Sequence, residues 1–300
     1  MATSIASSHI SSSTVQSWHA SRTNSRALRA EPGTGWRERL RIRLPQAVPQ
    51  LHVSLYPGSR QLNPRDHELS EGSPTVRVMS LLPVPRPADL DVVRESYDRV
   101  ADSYVDMVQT TGIGDVRTHP WHRAALDVFA DAVHGLGPVL DVGCGPGTVT
   151  AYLAGCGLDV SGVDLSPRMI EHARRLYPHC RFEVGSSTEL DLAEASLGGV
   201  LGWWSLFNLP RDVLPHVLSS FTRALVPDGQ LIVATHVGEG DLARTEAYGG
   251  VPVRWTTYRW QSEQLVELIE KAGLRPTAEL RLPAEGPVGP GVVVVARREG

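Results

Sequence analysis

The sequence is poor in several residue types, and each shortage excludes something. It has three cysteines in 300 residues, Cys144, Cys156 and Cys180. That is an odd number with no CxxC spacing and no paired histidines nearby, so neither a disulfide framework nor a zinc site is indicated, and no metal is expected. A reducing, cytoplasmic setting suits them. The longest purely aliphatic run is the four valines 292–295, far short of the 18 or more apolar residues of a membrane-spanning helix, so no membrane partner is expected. Lysine occurs once, at Lys271, and arginine carries the rest of the positive charge.

The net charge of -4 hides an asymmetry: residues 1–88 hold 11 Arg against 5 Asp plus Glu, which leaves 18 basic against 28 acidic residues for the remainder. An acidic body is a poor platform for a polyanion, since nucleic-acid binding rests on a surface that neutralises phosphates. Nucleic acid is therefore not the expected partner. Residues 1–88 also carry 9 Ser in the first 25 and Pro-rich stretches such as LLPVPRPAD. They lack sustained periodicity and bury too little to offset their ordering entropy. We expect a disordered or low-complexity extension over 1–88. Its start, without an acid before Glu31, has the composition of an organellar transit peptide as well.

From Asp89 the pattern becomes regular. VVRESYDRVADSYVDMV places apolar residues at helical spacing, and a second helical stretch runs from about Trp121 to Val133. PVLDV, LDVSGVD, RFEV, GVLGWW, QLIVATH, TAELRLP and GVVVVARR read as strands, separated for the most part by amphipathic stretches. Strands alternating with helices imply βαβ units. The expected fold for 89–300 is α/β: a Rossmann-like, doubly wound, mainly parallel seven-stranded sheet with helices on both faces.

In such a sheet the ligand lies at the carboxyl ends of the strands, and the loop after the first central strand approaches it most closely. That loop is GCGPG, with Gly143, Gly145 and Gly147 following Asp141. A dinucleotide fingerprint would put its third glycine at 148, which is Thr148, and no Gly-Lys-Ser/Thr follows for a Walker loop. Asp164 ends the next strand, 21 residues on from Gly143. A carboxylate there can accept hydrogen bonds from both hydroxyls of a ribose, so the ligand contains a nucleoside.

With D-x-G-x-G-x-G, the acid at the second strand tip and the later FTRALVPDGQLIVATH, the chain from about Tyr97 onward resembles the class I S-adenosylmethionine-dependent methyltransferases. Asp228 stands where that family has the first of two paired glycines. The resemblance implies S-adenosylmethionine as cofactor. It places Asp141, Gly143, Gly145 and Gly147 around the methionine part, Asp164 on the ribose, and Leu165 and Met169 beside the adenine. Ser186 and Ser187 stand where the family commonly has an adenine-binding acid. Tyr97 and Tyr104 match a lead-in helix that closes over the cofactor.

Methyl transfer from a sulfonium needs alignment first, and a base only if the acceptor must lose a proton. Trp204, Phe207 and Asn208 lie at the expected carboxyl edge after GVLGWW. Trp255 and Tyr258, in YGGVPVRWTTYRWQ, belong either to a cap over an apolar acceptor or to a short strand packed on the sheet. His236 ends the strand QLIVATH, and its near-neutral pKa suits a general base; His119 and His122 are weaker candidates. The expected activity is methyl transfer to a small, partly aromatic or apolar molecule. An RNA or protein methyltransferase, a noncatalytic nucleoside-binding module and a nicotinamide oxidoreductase are the alternatives.

Overall fold

The inner strands of this chain are mostly apolar, as strands covered on both faces are, with Asp141 among the few buried polar residues they carry. The computed structural model describes residues 52–56, 83–112, 115–284 and 289–300; the targeting question raised by the first residues lies outside them. Ten strands and six α-helices follow one another: β1 (His52–Leu55), α1 (Leu90–Thr111), α2 (Pro120–Val133), β2 (Val139–Val142), α3 (Thr148–Gly155), β3 (Val160–Asp164), α4 (Pro167–Leu176), β4 (Arg181–Val184), β5 (Leu197–Trp203), α5 (Leu214–Ala224), β6 (Leu225–His236), β7 (Asp241–Ala247), β8 (Val251–Tyr258), α6 (Ser262–Lys271), β9 (Leu274–Leu282) and β10 (Gly291–Arg298). The main sheet runs β1-β9-β10-β6-β5-β2-β3-β4. Strands β6, β5, β2, β3 and β4 are parallel, and β10 is antiparallel to both β6 and β9.

Among the described residues the sheet therefore has eight strands where the sequence predicts seven. The extra one is β1, HVSL, which pairs antiparallel with β9 at the sheet edge. All four of its residues are exposed, so it buries no alternating face that a sequence pattern would register. YGGVPVRWTTYRWQ supplies β8, which pairs with β7 as a separate hairpin between β6 and α6.

The four valines of β10 show how the core is shared. Val292 and Val294 pack with Val217, Leu218 and Phe221 of α5 and Ile269 of α6. Val293 and Val295 point the other way, to Phe129 and Val133 of α2 and Leu153 of α3. Period-two alternation thus feeds one strand into both helical layers. Asp228 takes φ 65 where the β5–β6 pairing shifts register, a left-handed conformation that Asp tolerates better than most residues.

Helix α1 is fastened on two sides. Towards α4, Asp98 accepts hydrogen bonds from the Ser166 hydroxyl (2.6 Å) and the Arg168 N–H (3.1 Å). Ser166 itself caps α4, accepting from the Met169 N–H. Towards the hairpin, the Ser96 hydroxyl accepts from the Arg254 N–H at 2.9 Å, and Val93 and Val100 pack with Val253 and Trp255. Among the described residues no helix is long and apolar enough to cross a membrane.

Candidate active site

Strand β2 ends at Val142 and the chain turns through Gly143, Cys144, Gly145 and Pro146 into α3, with Gly147 before its first turn. Gly143 packs against Ser205, whose hydroxyl donates to the Val142 carbonyl at 2.6 Å. Asp164, at the tip of β3, holds this loop: its Oδ2 accepts from the Gly145 N–H at 2.8 Å and its Oδ1 from the Ser166 N–H at 2.9 Å. Burial pushes the Asp164 carboxyl up to about 6, while those two backbone donors favour its ionised form.

Loop and carboxylate line a cavity of about 410 Å³. The structure brings Tyr97, Tyr104, Gly143, Gly145, Asp164 and Leu165 together in its wall, and with them Met169, Ser186, Ser187, Trp204, Phe207, Asn208 and His236. Four other residues singled out in the sequence lie behind or beyond that wall. Asp141 is buried beneath the loop and accepts from the Thr150 hydroxyl at 2.7 Å. Gly147 packs on Phe182. Trp255 stacks flat on Tyr97, with ring centroids 4.6 Å apart and 2° between planes. Tyr258 sits on β8 opposite Asp241.

The Tyr97 hydroxyl donates to Asn208 Oδ1 at 2.6 Å, and Asn208 Nδ2 donates to the Thr256 carbonyl at 2.9 Å. Asn208 therefore ties α1 to the hairpin. Ser186 is buried, its hydroxyl 2.8 Å from that of Thr188 and accepting from the Thr188 N–H. Trp204 takes φ 52 while its N–H donates to the Ala234 carbonyl. Left-handed backbone is costly for a bulky residue and concentrates at functional sites. His236 lies 5.1 Å from the Trp204 ring and 4.9 Å from Phe207. Burial, and then Arg244 and Arg259, hold its imidazole below the usual range.

Sequence reasoning passed over Tyr248, Ser205 and Val116 and ranked His119 and His122 low, yet all but Ser205 carry rings or branched carbons into the wall and Ser205 shapes it. Tyr248 meets Tyr104 edge-on at 4.9 Å. Tyr248 follows β7, DLARTEA, in which Leu242 is the one large apolar residue, so tertiary packing rather than pattern marks it. Among the described residues no group of three or more His, Cys, Asp or Glu is placed to hold a metal.

Asp141 makes a pH prediction. Burial pushes its carboxyl up to about 7, against the Thr150 hydrogen bond that favours the ionised form. An unfolded aspartate titrates near 3.9. Between about pH 4 and 7 the folded state therefore keeps a proton that the unfolded state has lost, and this group's stabilising contribution, complete below about pH 4, is lost as pH rises through 7. Relative to wild type, Asp141→Asn is expected to gain melting temperature progressively from about pH 4 to pH 7 and to level off above it. A constant difference across that range would show that the carboxyl titrates normally.

Comparison with known proteins fits this geometry. Residues 139–229 match a family model described as a methyltransferase domain. The demethylmenaquinone methyltransferase of Beutenbergia cavernae is 37% identical over 119 residues, 38% of this chain and 46% of that one. That of Renibacterium salmoninarum is 34% identical over 146 residues, 48% and 58% of the two chains. The chain thus spans about half the length of these curated relatives. Among solved structures, the magnesium protoporphyrin IX methyltransferase of Synechocystis, with bound S-adenosylmethionine, aligns at a TM-score of 0.54 and 16% identity, over 71% of this chain and 99% of that one. At that identity the likeness is one of fold.

Proposed function

We propose that the chain is a class I S-adenosylmethionine-dependent methyltransferase that transfers a methyl group to a small, partly aromatic or apolar acceptor; the methyltransferase-domain match over residues 139–229 and a fold shared with a methyltransferase structure support this reading. One observation carries the reading: a single cavity is lined by Gly143, Gly145 and Asp164 and also by Trp204, Phe207 and His236. Every residue given a role lies after position 88.

The residues present fit the cofactor. A side chain at Gly145 would meet nothing within 4 Å, so the backbone borders open space there, and Asp164 borders the same cavity with a carboxylate. In this reading Asp164 accepts from the ribose hydroxyls, Leu165 and Met169 flank the adenine with Ser186 and Ser187 at its edge, and Gly143 and Gly145 border the amino-acid part. Asp141 supports the loop from beneath and Gly147 leads it into α3. Tyr97, braced by Trp255 and Asn208, and Tyr104 close the cavity from α1. Bound there, S-adenosylmethionine supplies an activated methyl group for in-line displacement.

The chain's own contribution is alignment and exclusion of water. Trp204 and Phe207 offer flat apolar faces to the acceptor, as sites for planar ligands do. His236, neutral at physiological pH because its pKa is lowered, is placed to take a proton if the acceptor must lose one. The relatives' named acceptor, demethylmenaquinone, has the planar apolar character this wall suits. Among the described lining residues there is no Arg or Lys, which favours a small acceptor over a polyanion.

The test is to incubate the full chain with methyl-labelled S-adenosylmethionine and a metabolite extract. Label is expected in a small apolar product. Label recovered in RNA or protein would overturn the acceptor class, and tight cofactor binding with no label transferred would overturn catalysis.

A further inference from the structure

Three imidazoles, those of His119, His122 and His236, line the cavity, and none has a hydrogen-bond partner among the described residues. His122 is the central one. It stands on the first turn of α2 and meets Trp203 edge-on, with centroids 5.5 Å apart at 87°. Its ring lies 5.9 Å from Trp204 and 5.1 Å from His119, and Trp204 in turn lies 5.1 Å from His236.

The His122 ring is half-buried, and its nitrogens are not among the buried side-chain atoms left without a partner, so they stay open to a ligand. Burial, helped by His119, holds the His122 imidazole down at about 4, so it is neutral at physiological pH. A neutral imidazole presents one donor and one acceptor, the complement of a hydroxyl. Two other polar groups of the wall are engaged: Asn208 binds Tyr97 and Thr256, and the Ser205 hydroxyl donates to Val142. The charged residues in the described lining are Asp89 and Asp164. An anionic acceptor would meet those carboxylates with no cation to offset them.

We propose that the acceptor is an uncharged planar molecule bearing a hydroxyl group, and that His122 is the residue that recognises that hydroxyl. The proposal rests on the methyltransferase reading and narrows its acceptor.

The test is calorimetry on the full chain saturated with S-adenosylhomocysteine, using 1-naphthol, naphthalene and 1-naphthoate as probes. Wild type is expected to bind 1-naphthol about tenfold more tightly than the other two, the worth of one satisfied hydrogen bond. His122→Phe, which keeps a ring against Trp203, should lower 1-naphthol affinity to that of naphthalene. His122→Gln, which keeps a donor and an acceptor, should restore most of the difference. Both variants should bind S-adenosylhomocysteine within about twofold of wild type, since His122 touches none of the donor residues in this reading. The proposal is overturned if wild type does not prefer 1-naphthol, if 1-naphthoate binds best, or if His122→Phe keeps the preference. If S-adenosylhomocysteine binds while the preference is missing, this proposal alone fails; if it does not bind wild type, the methyltransferase reading fails and takes the proposal with it.

Discussion

Asp164→Ala is expected to weaken S-adenosylmethionine binding by about a hundredfold or more, with the melting temperature within a few degrees of wild type. The carboxylate has about four acceptor sites on its two oxygens. Two are used by the Gly145 and Ser166 N–H groups, which leaves two for ligand hydroxyls. Hydrogen bonds to a charged group contribute about 1.5–3 kcal/mol each. Two of them are therefore worth about 3 kcal/mol at the least, a factor of about a hundred in Kd. The fold loses less, because the substitution also removes a carboxyl that burial pushes up to about 6 and frees two backbone donors that border a cavity. The same shift fixes a pH dependence. Below about 6 the free protein carries a proton on Asp164 that the ribose-bound state must release, so affinity falls as pH drops from 7 to 5. Asp164→Asn, which keeps an acceptor oxygen and loses the charge, should fall between alanine and wild type and lose this pH dependence. Unchanged affinity in the alanine variant would remove Asp164 from the ribose, and with it the main support for the cofactor assignment.

The cavity wall around the glycine loop was legible because its residues are local in sequence. Gly143, Gly145 and Asp164 sit at strand tips whose spacing follows from one βαβ unit, and the fold brings the two tips together without further information. The wall around His122 is different. His122 precedes Trp203 by 81 positions, and the two meet because α2 packs Phe129 and Val133 on the strand layer, a contact that no spacing encodes. Trp255 shows the same limit from the other direction. The alternation of Val253, Trp255 and Thr257 as buried residues is a strand signal, but whether the buried face meets a ligand or another ring depends on where α1 lies, and α1 puts Tyr97 there. The eighth strand is the clearest omission. His52–Leu55 is four residues long and exposed throughout, held by its ladder to β9 alone, so neither hydrophobicity nor period marks it. Asn208 and Ser186, where the chain departs from the family pattern, prove to be engaged by Tyr97 and Thr188. Their roles are visible only in the assembled wall.

The glycine loop offers a second large effect, because two of its glycines are needed for different reasons. At Gly143, φ is 73, and an added Cβ would lie 2.3 Å from the Ser205 Cβ, closer than any contact the fold can keep. Gly143→Ala must displace Ser205 and strain the backbone together, so it is expected to cost about 2–4 kcal/mol of stability. Lost binding in that variant would follow from the damaged loop. At Gly145, φ is 54 and the added Cβ would meet nothing within 4 Å. Gly145→Ala should therefore cost only the left-handed backbone strain, about 1–2 kcal/mol. Its methyl group, however, would project into the space this reading gives to the sulfonium amino acid. Cofactor affinity should then fall by about a hundredfold, from overlap at the closest approach of ligand to main chain. Thermal melts paired with calorimetry separate the two: Gly143→Ala loses melting temperature, whereas Gly145→Ala stays folded and loses the ligand. If Gly145→Ala bound S-adenosylmethionine normally, the open space beside the loop would not be where the cofactor lies, and the glycines would be explained by the turn alone.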